Sequence, residues 1–322
     1  MSEKMIGVDV GGTKVAVATL HAGELGAPRV FPTAGASAGA LTDQIAGAID
    51  AVRDREAVAV GIGVPSVVEF ATGRVKWSVN LNLADVPLRA VLEERLGLPV
   101  FVDNDTTCAA LAEAHDGARL TVRNLVMLTV GTGIGGGLVL DGRVYRGATG
   151  AAGEIGHTLI GAHLEDGAPA AGGFPQEGSL ESLASGRALD ALAEATARAH
   201  PGSALGQLRR RGAAVRGPDV VAAAQAGDGQ ARAVVTLLGQ RLGVGIANAI
   251  NTFDPEVVVI GGGVAAAGEL LLGPARESAR RFVVPGVGEA TEIRLARYGA
   301  EAGVRGAALL ADHELSRGPV RR

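Results

Sequence analysis

The sequence contains little cysteine and few aromatic residues. Of its 322 residues one is a cysteine, Cys108, and 3% are aromatic. A single cysteine excludes an internal disulfide and suits a reducing compartment. Because 47% of the residues are hydrophobic, the chain can still build sizeable cores, and these must consist of Ala, Val, Leu and Ile.

Long apolar runs and an excess of one charge are also missing. The formal net charge is −4, with acidic and basic residues interspersed. The only basic run, Arg209 to Arg211, is interpreted as a solvated helix end or loop. No apolar run reaches membrane-spanning length without glycine or charge, and the N-terminus lacks the apolar core of a signal peptide. These absences predict a soluble cytoplasmic protein with no nucleic-acid or membrane partner.

Two glycine-rich turns, each between two apolar strands, are the most informative motifs that are present. The first spans Gly11 to Lys14 and follows Asp9, and the second begins with Gly131-Thr132-Gly133. Their backbone amides and hydroxyls suit a chain of phosphates. A dinucleotide fold or a P-loop would continue into a helix, whereas strands are predicted after both turns. The repeated hairpin indicates two related lobes that face each other across a nucleotide.

Strands alternate with helices along the chain, which indicates an α/β protein. The length favours two domains. We predict a small N-terminal lobe of residues 1–118 with about 300–316, a large lobe of 119–299, and a disordered tail at 317–322. The pattern predicts, among other elements, a strand over 57–64 and helices over 41–52, 88–96, 107–115, 180–199, 220–226, 231–250 and 302–315.

Three further motifs carry residues that suit catalysis or binding. Asn104-Asp105 follow a predicted strand and begin a helix, where substrates commonly meet open sheets. The helix dipole helps to keep Asp105 ionised, so it can accept a proton from a hydroxyl. Glu154 and His157 lie three residues apart beside glycines, and the glycines 261–263 allow a ligand to approach the backbone closely.

Five motifs in order are together similar to the ROK family of sugar kinases and repressors, within the sugar kinase/actin/Hsp70 fold group. They are Asp9–Lys14, Asn104-Asp105, Gly131–Gly137, Gly153–His157 and Gly261–Val264. The resemblance covers essentially the whole chain. It implies two ribonuclease-H-like, actin-like ATPase lobes with an interlobe cleft. It also implies an ATP-dependent hexose kinase of glucokinase type, which acts in glycolysis as a cytoplasmic homodimer.

The resemblance also implies a role for each motif. Asp105 would be the general base for the sugar hydroxyl, and Asp9 would hold the Mg²⁺ of ATP through water. The sugar-binding set would be Asn80, Asn104, Asp105, Glu154, His157 and Glu181, with Asn82 as an alternative register for Asn80. The ATP-binding set would be Asp9, Gly11, Gly12, Thr13, Lys14, Gly131, Thr132, Gly133, Gly261, Gly262 and Gly263.

The chain departs from the family pattern just before Glu181. Most members carry three cysteines there, which bind a structural zinc together with the preceding histidine. Here Gly172, Phe174 and Ser179 stand where those cysteines would fall. We therefore predict no zinc, a His157 that binds sugar alone, and a 161–178 loop ordered by Phe174 and prolines.

Alternatives remain open for the substrates and for the activity itself. The acceptor could be mannose, N-acetylmannosamine, N-acetylglucosamine, fructose or allose, and the donor could be polyphosphate. A sugar-sensing protein without kinase activity is the alternative from another class. Repressors of this family carry an N-terminal helix-turn-helix domain, whereas here the first strand is predicted to begin at about Met5.

Overall fold

The computed structural model describes residues 3–78, 81–162, 165, 167–168 and 172–316. It divides into two compact units. The first unit comprises Met1–Met127, Gly137–Gly153 and Ala296–Arg322, and the second comprises Leu128–Gly136 and Glu154–Leu295. Residues 137–153, predicted in the large lobe, are therefore grouped with the first unit. The predicted tail at 317–322 lies outside the described residues.

The strands and helices alternate as expected for an α/β protein. The described strands are β1 (Lys4–Val10), β2 (Lys14–His21), β3 (Glu24–Leu25), β4 (Arg29–Pro32), β5 (Ala57–Val64), β6 (Ser66–Glu69), β7 (Arg74–Ser78), β8 (Val100–Asn104), β9 (His115–Asp116), β10 (Arg119–Leu120), β11 (Leu125–Val130), β12 (Ile134–Leu140), β13 (Arg143–Val144), β14 (Val257–Gly261) and β15 (Glu292–Leu295). The described α-helices are α1 (Ala38–Asp50), α2 (Leu88–Leu96), α3 (Asp105–Glu113), α4 (Leu180–Ala184), α5 (Gly186–Ala199), α6 (Ala204–Arg210), α7 (Gly217–Gln225), α8 (Gly229–Phe253), α9 (Glu269–Phe282) and α10 (Ala302–Leu315).

The sheet of the first unit has the strand order β3-β2-β1-β5-β8, with β4 paired to β2. β5 runs parallel to both β1 and β8, and Ile62 pairs with Val8 on one side and Val102 on the other. The carboxyl ends of these three strands therefore lie at one edge of the sheet. Asp9 is close to the end of β1, and Asn104 ends β8. This edge therefore carries Asp9 and Asn104, two of the residues predicted for the site.

Helices cover both faces of this sheet, because successive side chains of a strand point in opposite directions. Ile6 and Val8 of β1 belong to a core that includes residues of α1 and α2. Met5 belongs to a second core, with residues of α3 and α10. Glycine brings α10 to the sheet at backbone distance, since a Cβ atom at Gly61 would lie 1.7 Å from the carbonyl oxygen of Ala307.

The long helix α8 is the centre of the second unit. Two of its glycines face α9, and a Cβ atom at Gly239 or Gly243 would overlap the α9 backbone at about 2.5 Å. The sheet that contains the second glycine hairpin has the order β13-β12-β11-β14-β15. Among the described residues, α8 alone is long and apolar enough to cross a membrane. Because 61% of its most apolar window is buried, it has the character of a core helix.

The structure confirms most of the predicted elements and corrects two of them. β5, α2 and α10 have the predicted limits, and both glycine turns connect two strands. The single helix predicted over 180–199 is wrong, because Ser185 adopts an extended conformation and caps α5 by accepting a hydrogen bond from Ala188 N. α3 begins at Asp105 rather than Thr107, since the cap is Asn104.

Candidate functional site

The first glycine turn is exposed and held in shape by Thr33. The amide of Gly11 donates to the carbonyl oxygen of Lys14 at 2.8 Å, which closes the turn between β1 and β2. Thr33 Oγ1 donates to the carbonyl oxygen of Gly11, and the Thr33 amide donates to that of Thr13. Gly12, Thr13 and Lys14 are exposed. The turn therefore presents a fixed, uncovered backbone that can approach an anion.

Asp9 lies next to this turn in an environment that opposes its charge. Burial raises the pKa of Asp9 to about 6, the neighbouring Asp105 raises it as well, and Lys14 lowers it. Two desolvated carboxylates close to each other favour a bound cation, which would stabilise the ionised form of both.

Asn104 and Asp105 take the positions expected from the sequence at the start of α3. Asn104 Oδ1 accepts hydrogen bonds from the amides of Thr106 at 2.9 Å and Thr107 at 3.2 Å, so it is the cap of the helix. Asn104 Nδ2 donates to the carbonyl oxygen of Ser66 at 3.4 Å. Asp105 follows as the first helical residue, where the positive end of the dipole favours its charge.

The carboxylate of Asp105 is oriented by its own helix. Asp105 Oδ1 accepts from the Thr106 amide at 2.7 Å. Burial raises the pKa of Asp105, and the hydrogen bonds from Thr106 partly oppose that rise. Strand β5 packs closely here, since a Cβ atom at Gly63 would lie 3.4 Å from Asp105 Cα. Cys108, one turn further along α3, is a buried core residue, as predicted.

Sequence reasoning missed the charged residues behind this pair. Asp103 is 1% exposed, and its Oδ2 accepts a hydrogen bond from Arg146 Nε at 2.7 Å. Arg146 in turn donates to Glu314. Burial raises the pKa of Asp103, and Arg146 lowers it. The one signal in the sequence was Asp103 itself, because a carboxylate inside the apolar strand β8 indicates a buried partner.

Glu181 is fixed to the second glycine turn. The turn is closed by the Gly131 amide, which donates to the carbonyl oxygen of Gly133 at 2.9 Å. Glu181 Oε2 accepts from the amide of Ile134 at 2.7 Å. A Cβ atom at Gly133 would lie 2.4 Å from this same oxygen, so only glycine leaves room for it. The predicted sugar ligand therefore also supports the predicted phosphate turn.

Glu154 and His157 lie together in the second unit: Glu154 precedes a short 3₁₀ helix, Ile155–His157, and His157 is its last residue. His157 Nε2 is 3.7 Å from Glu154 Oε2. His157 Nδ1 is buried and has no hydrogen-bond partner in the described part of the protein. A ligand hydroxyl could satisfy this nitrogen, because a buried polar atom without a partner is costly.

Phe174 contacts His157 but is not a core residue. Its ring meets the His157 ring edge-on, with the centroids 5.3 Å apart. The Phe174 side chain nevertheless remains 75% exposed. Among the described residues, no group of three or more His, Cys, Asp or Glu side chains is placed to hold a metal ion.

A pocket of about 560 Å³ lies beside the second glycine turn, within the second unit. Gly131, Thr132 and Gly263 line it, as the sequence predicted for an ATP site. Gly262 has φ +84°, and a Cβ atom there would lie 2.4 Å from the carbonyl oxygen of Val130. The lining residues that sequence reasoning missed are Gly186, Arg187, Leu189, Asp190, Gly217, Pro218, Val221, Ala222, Gln225, Val264 and Ala266.

The structure thus groups the predicted site residues by unit. Asp9, Lys14, Asn104 and Asp105 belong to the first unit. The second unit holds Gly131, Thr132, Gly133, Glu154, His157, Glu181, Gly261, Gly262 and Gly263. Asn80 lies outside the described residues. Asn82, its alternative, is described, and its Nδ2 donates to the carbonyl oxygen of Gly35.

Comparison with known proteins shows the family of the chain. The model of the ROK family matches residues 5–314. The chain belongs to the ROK family. A glucokinase from Halalkalibacterium halodurans is 38% identical to this ROK protein over 309 residues, which are 94% of this chain and 92% of that one.

Solved structures of ROK proteins share its fold. One is a ROK family glucokinase from Streptomyces griseus in complex with glucose and AMPPNP, with TM-score 0.79 and 33% identity over 97% of this chain and 100% of that one. Another is a ROK hexokinase from Thermus thermophilus, with TM-score 0.75 and 36% identity over 98% of this chain and 100% of that one. The predicted α/β fold of the actin-like sugar kinases is therefore confirmed.

Proposed function

We propose that this ROK protein is an ATP-dependent glucokinase, which converts glucose and ATP to glucose 6-phosphate and ADP. The single observation that carries the proposal is Asp105, a desolvated carboxylate at the first position of α3, close enough to Asp9 to raise its pKa. The relatives named glucokinase support the same substrates.

Asp105 is the proposed general base. As the 6-hydroxyl oxygen of glucose bonds to the γ-phosphorus, its proton passes to the Asp105 carboxylate and the bond from that phosphorus to the oxygen of ADP breaks. Burial makes Asp105 a stronger base than an exposed aspartate, because the charged form is poorly solvated. The hydrogen bond from the Thr106 amide fixes the direction in which the carboxylate points.

The proposed nucleotide site uses backbone more than side chains. The pocket beside Gly131 and Gly263 would take the adenosine, and its apolar wall includes Val221 and Val264. The glycine turns would bind the phosphates through their amides, with Lys14 as a cation.

Asp9 would hold Mg²⁺ at the phosphates through water. The donor chemistry fits. Asp9 and Asp105 are neighbouring carboxylates, and among the described residues neither accepts a hydrogen bond from a cationic side chain. When bound, the ion supplies positive charge against the phosphate oxygens.

The proposed sugar ligands are Asn104, Asp105, Glu154, His157 and Glu181, together with Asn80. His157 Nδ1 is suited to a hydrogen bond with a sugar hydroxyl, because it is buried and has no partner among the described residues. Glu154 is exposed and can turn either oxygen toward a hydroxyl. An acceptor without that hydroxyl would leave these groups unpaired.

We further propose that the protein is a cytoplasmic homodimer without a nucleic-acid partner, and that it contains no structural zinc. The single cysteine supports the last point, since a thiolate-rich site needs several. Stoichiometric zinc in the purified protein, or a monomer by analytical ultracentrifugation, would contradict the corresponding proposal.

A coupled assay of ADP release over a hexose panel tests the function. The panel would include glucose, mannose, fructose, allose, N-acetylglucosamine and N-acetylmannosamine, each with ATP plus Mg²⁺ and with polyphosphate as an alternative donor. We expect the highest kcat/KM with glucose and ATP. Absence of phosphorylation with every hexose, together with glucose binding by calorimetry, would indicate a sugar-sensing protein instead.

A further inference from the structure

A buried ionic cluster lies directly behind the Asn104-Asp105 pair. It consists of Asp103, Arg146 and Glu314, with the Phe70 ring against the guanidinium, and we refer to it as the Arg146 cluster. Asp103 is 1% exposed and Glu314 is 9% exposed. All four residues belong to the first unit.

Asp103 connects this cluster to the backbone of the catalytic segment. Its Oδ2 accepts from Arg146 Nε at 2.7 Å, and its Oδ1 accepts from the amide of Asn104 at 2.9 Å. Asn104 is the cap of α3 and is bonded covalently to Asp105. The Arg146 guanidinium is therefore connected, through the Asp103 carboxylate, to the backbone at the start of α3.

Arg146 is itself held on two further sides. Arg146 Nη2 donates to Glu314 Oε1 at 2.9 Å, and the guanidinium lies 3.5 Å from the centroid of the Phe70 ring. The planar fork of arginine reaches both carboxylates at once, which the single ammonium of lysine cannot reproduce. The cluster is rigid because every charged group in it has a fixed partner.

Stability alone does not account for such a cluster. Burying charges costs solvation free energy, and well-packed apolar residues at such places often give an equally stable protein. In some proteins a buried ion pair is retained because it restricts a segment to one geometry. Here the restricted segment is the start of α3, which carries Asp105.

We infer that Arg146 is a positioning residue for the reaction: through Asp103 and the Asn104 amide it holds Asp105 at the sugar hydroxyl. This inference rests on the proposed function. Displacing a catalytic group by about 1 Å typically costs about a hundredfold in rate. Arg146 therefore contributes to kcat without a direct contact to either substrate.

The opposite end of α3 provides a matched control. Glu113, the last residue of α3, is buried, and its Oε1 accepts from the amide of Arg297 at 2.7 Å. Arg297 Nε lies 3.5 Å from Glu113 Oε2. This is also an arginine–carboxylate pair, although the Arg297 side chain is 41% exposed against 16% for Arg146, and it is at the far end of the helix from Asp105.

The experiment compares Arg146→Lys with Arg297→Lys by steady-state kinetics and thermal unfolding. We expect Arg146→Lys to lower kcat by about 10- to 100-fold, with KM for glucose and ATP changed by less than about threefold. Arg297→Lys should lose some thermal stability, because it too breaks contacts to a buried carboxylate, and it should retain kcat. Unchanged kcat in Arg146→Lys, or equal loss in both variants, would overturn the inference.

Combination with Asp105→Asn separates positioning from a general structural effect. If Arg146 acts through Asp105, Arg146→Lys should not lower the residual kcat of Asp105→Asn any further. A full additional loss would contradict the inference. If Arg146→Lys does not fold, Asp103→Asn replaces it in the experiment. This change keeps the shape of the side chain but removes one hydrogen-bond acceptor, and it should show the same loss of kcat and the same non-additivity with Asp105→Asn. If the wild-type protein phosphorylates no hexose, the proposed function itself is refuted. That result is distinguishable from the outcomes above, in all of which the wild-type protein is active.

Discussion

Gly303 lies against the carboxylate of Asp9. A Cβ atom at Gly303 would be 2.6 Å from both Cγ and Oδ2 of Asp9. Gly303 is in the first turn of α10, so this carboxylate is next to the N-terminus of a helix whose dipole favours negative charge. The absence of a side chain at Gly303 is what lets Asp9 occupy this place.

Gly303→Ala should therefore displace Asp9 and weaken the use of magnesium ATP. We expect KM for ATP to rise about tenfold, which corresponds to a loss of about 1.4 kcal/mol of binding free energy. The binding of glucose, measured by calorimetry, should change little. Gly47→Ala is the control, since Gly47 lies within α1 with nothing within 4 Å of an added Cβ. It should leave the kinetics unchanged and stabilise the protein slightly.

Asp105→Asn should abolish most turnover and retain sugar binding. The amide keeps the shape of the side chain and can still accept the hydrogen bond from the Thr106 amide, but it cannot accept a proton. We expect kcat to fall by about a thousandfold or more, with the Kd for glucose within a few-fold of wild type. Normal turnover in this variant would exclude Asp105 as the base.

The raised pKa of Asp9 predicts a specific dependence of stability on pH. Between its unfolded value near 3.8 and its folded value of about 6, the folded protein binds more protons than the unfolded chain. The free energy of unfolding should therefore fall as pH rises through this window, by up to about 3 kcal/mol at 1.36 kcal/mol per pKa unit.

Urea unfolding between pH 4 and 8, without nucleotide or magnesium, measures this effect. Asp9→Asn should remove it, so that the variant is the more stable protein above pH 6. Parallel pH profiles for the two proteins would contradict the assignment of the shift to Asp9. The same ionisation should give kcat/KM for ATP an acidic limb near pH 6, because the ion needs the carboxylate.

Ala222→Trp should block the pocket beside the second glycine turn. Ala222 lines this pocket and is exposed, so an indole at that position would fill space without entering the core. We expect KM for ATP to rise by more than tenfold while the Kd for glucose is unchanged. An unchanged KM for ATP would mean that the adenosine binds elsewhere.

The local parts of the site were predictable from the sequence. Gly11 to Lys14 and the Asn104-Asp105 pair depend on neighbours in the chain, so turn chemistry and helix capping predict their shape. The strand limits of β5 were also predictable, because its apolar residues end at Pro65.

The long-range parts were not predictable. Arg146 and Glu314 are far apart in the sequence, and no local pattern indicates that they meet behind Asp103. The break at Ser185 was missed because a single Ser-Gly pair does not by itself end a helix. The hydrogen bond from the Gly186 amide to the Gly131 carbonyl oxygen, a tertiary contact, decides the outcome. The pocket residues Asp190 and Gln225 lie on separate helices, which only the fold brings together.

The close packing of α10 on the first sheet has a consequence for biosynthesis. A Cβ atom at Gly7 of β1 would lie 2.0 Å from the carbonyl oxygen of Val304, and one at Gly61 of β5 would lie 1.7 Å from that of Ala307. The sheet thus presents a groove shaped for a helix that leaves the ribosome only after nearly all the rest of the chain. Until α10 has been synthesised, the N-terminal strands stay uncovered on this face. Apolar surface that is exposed in this way during synthesis favours aggregation.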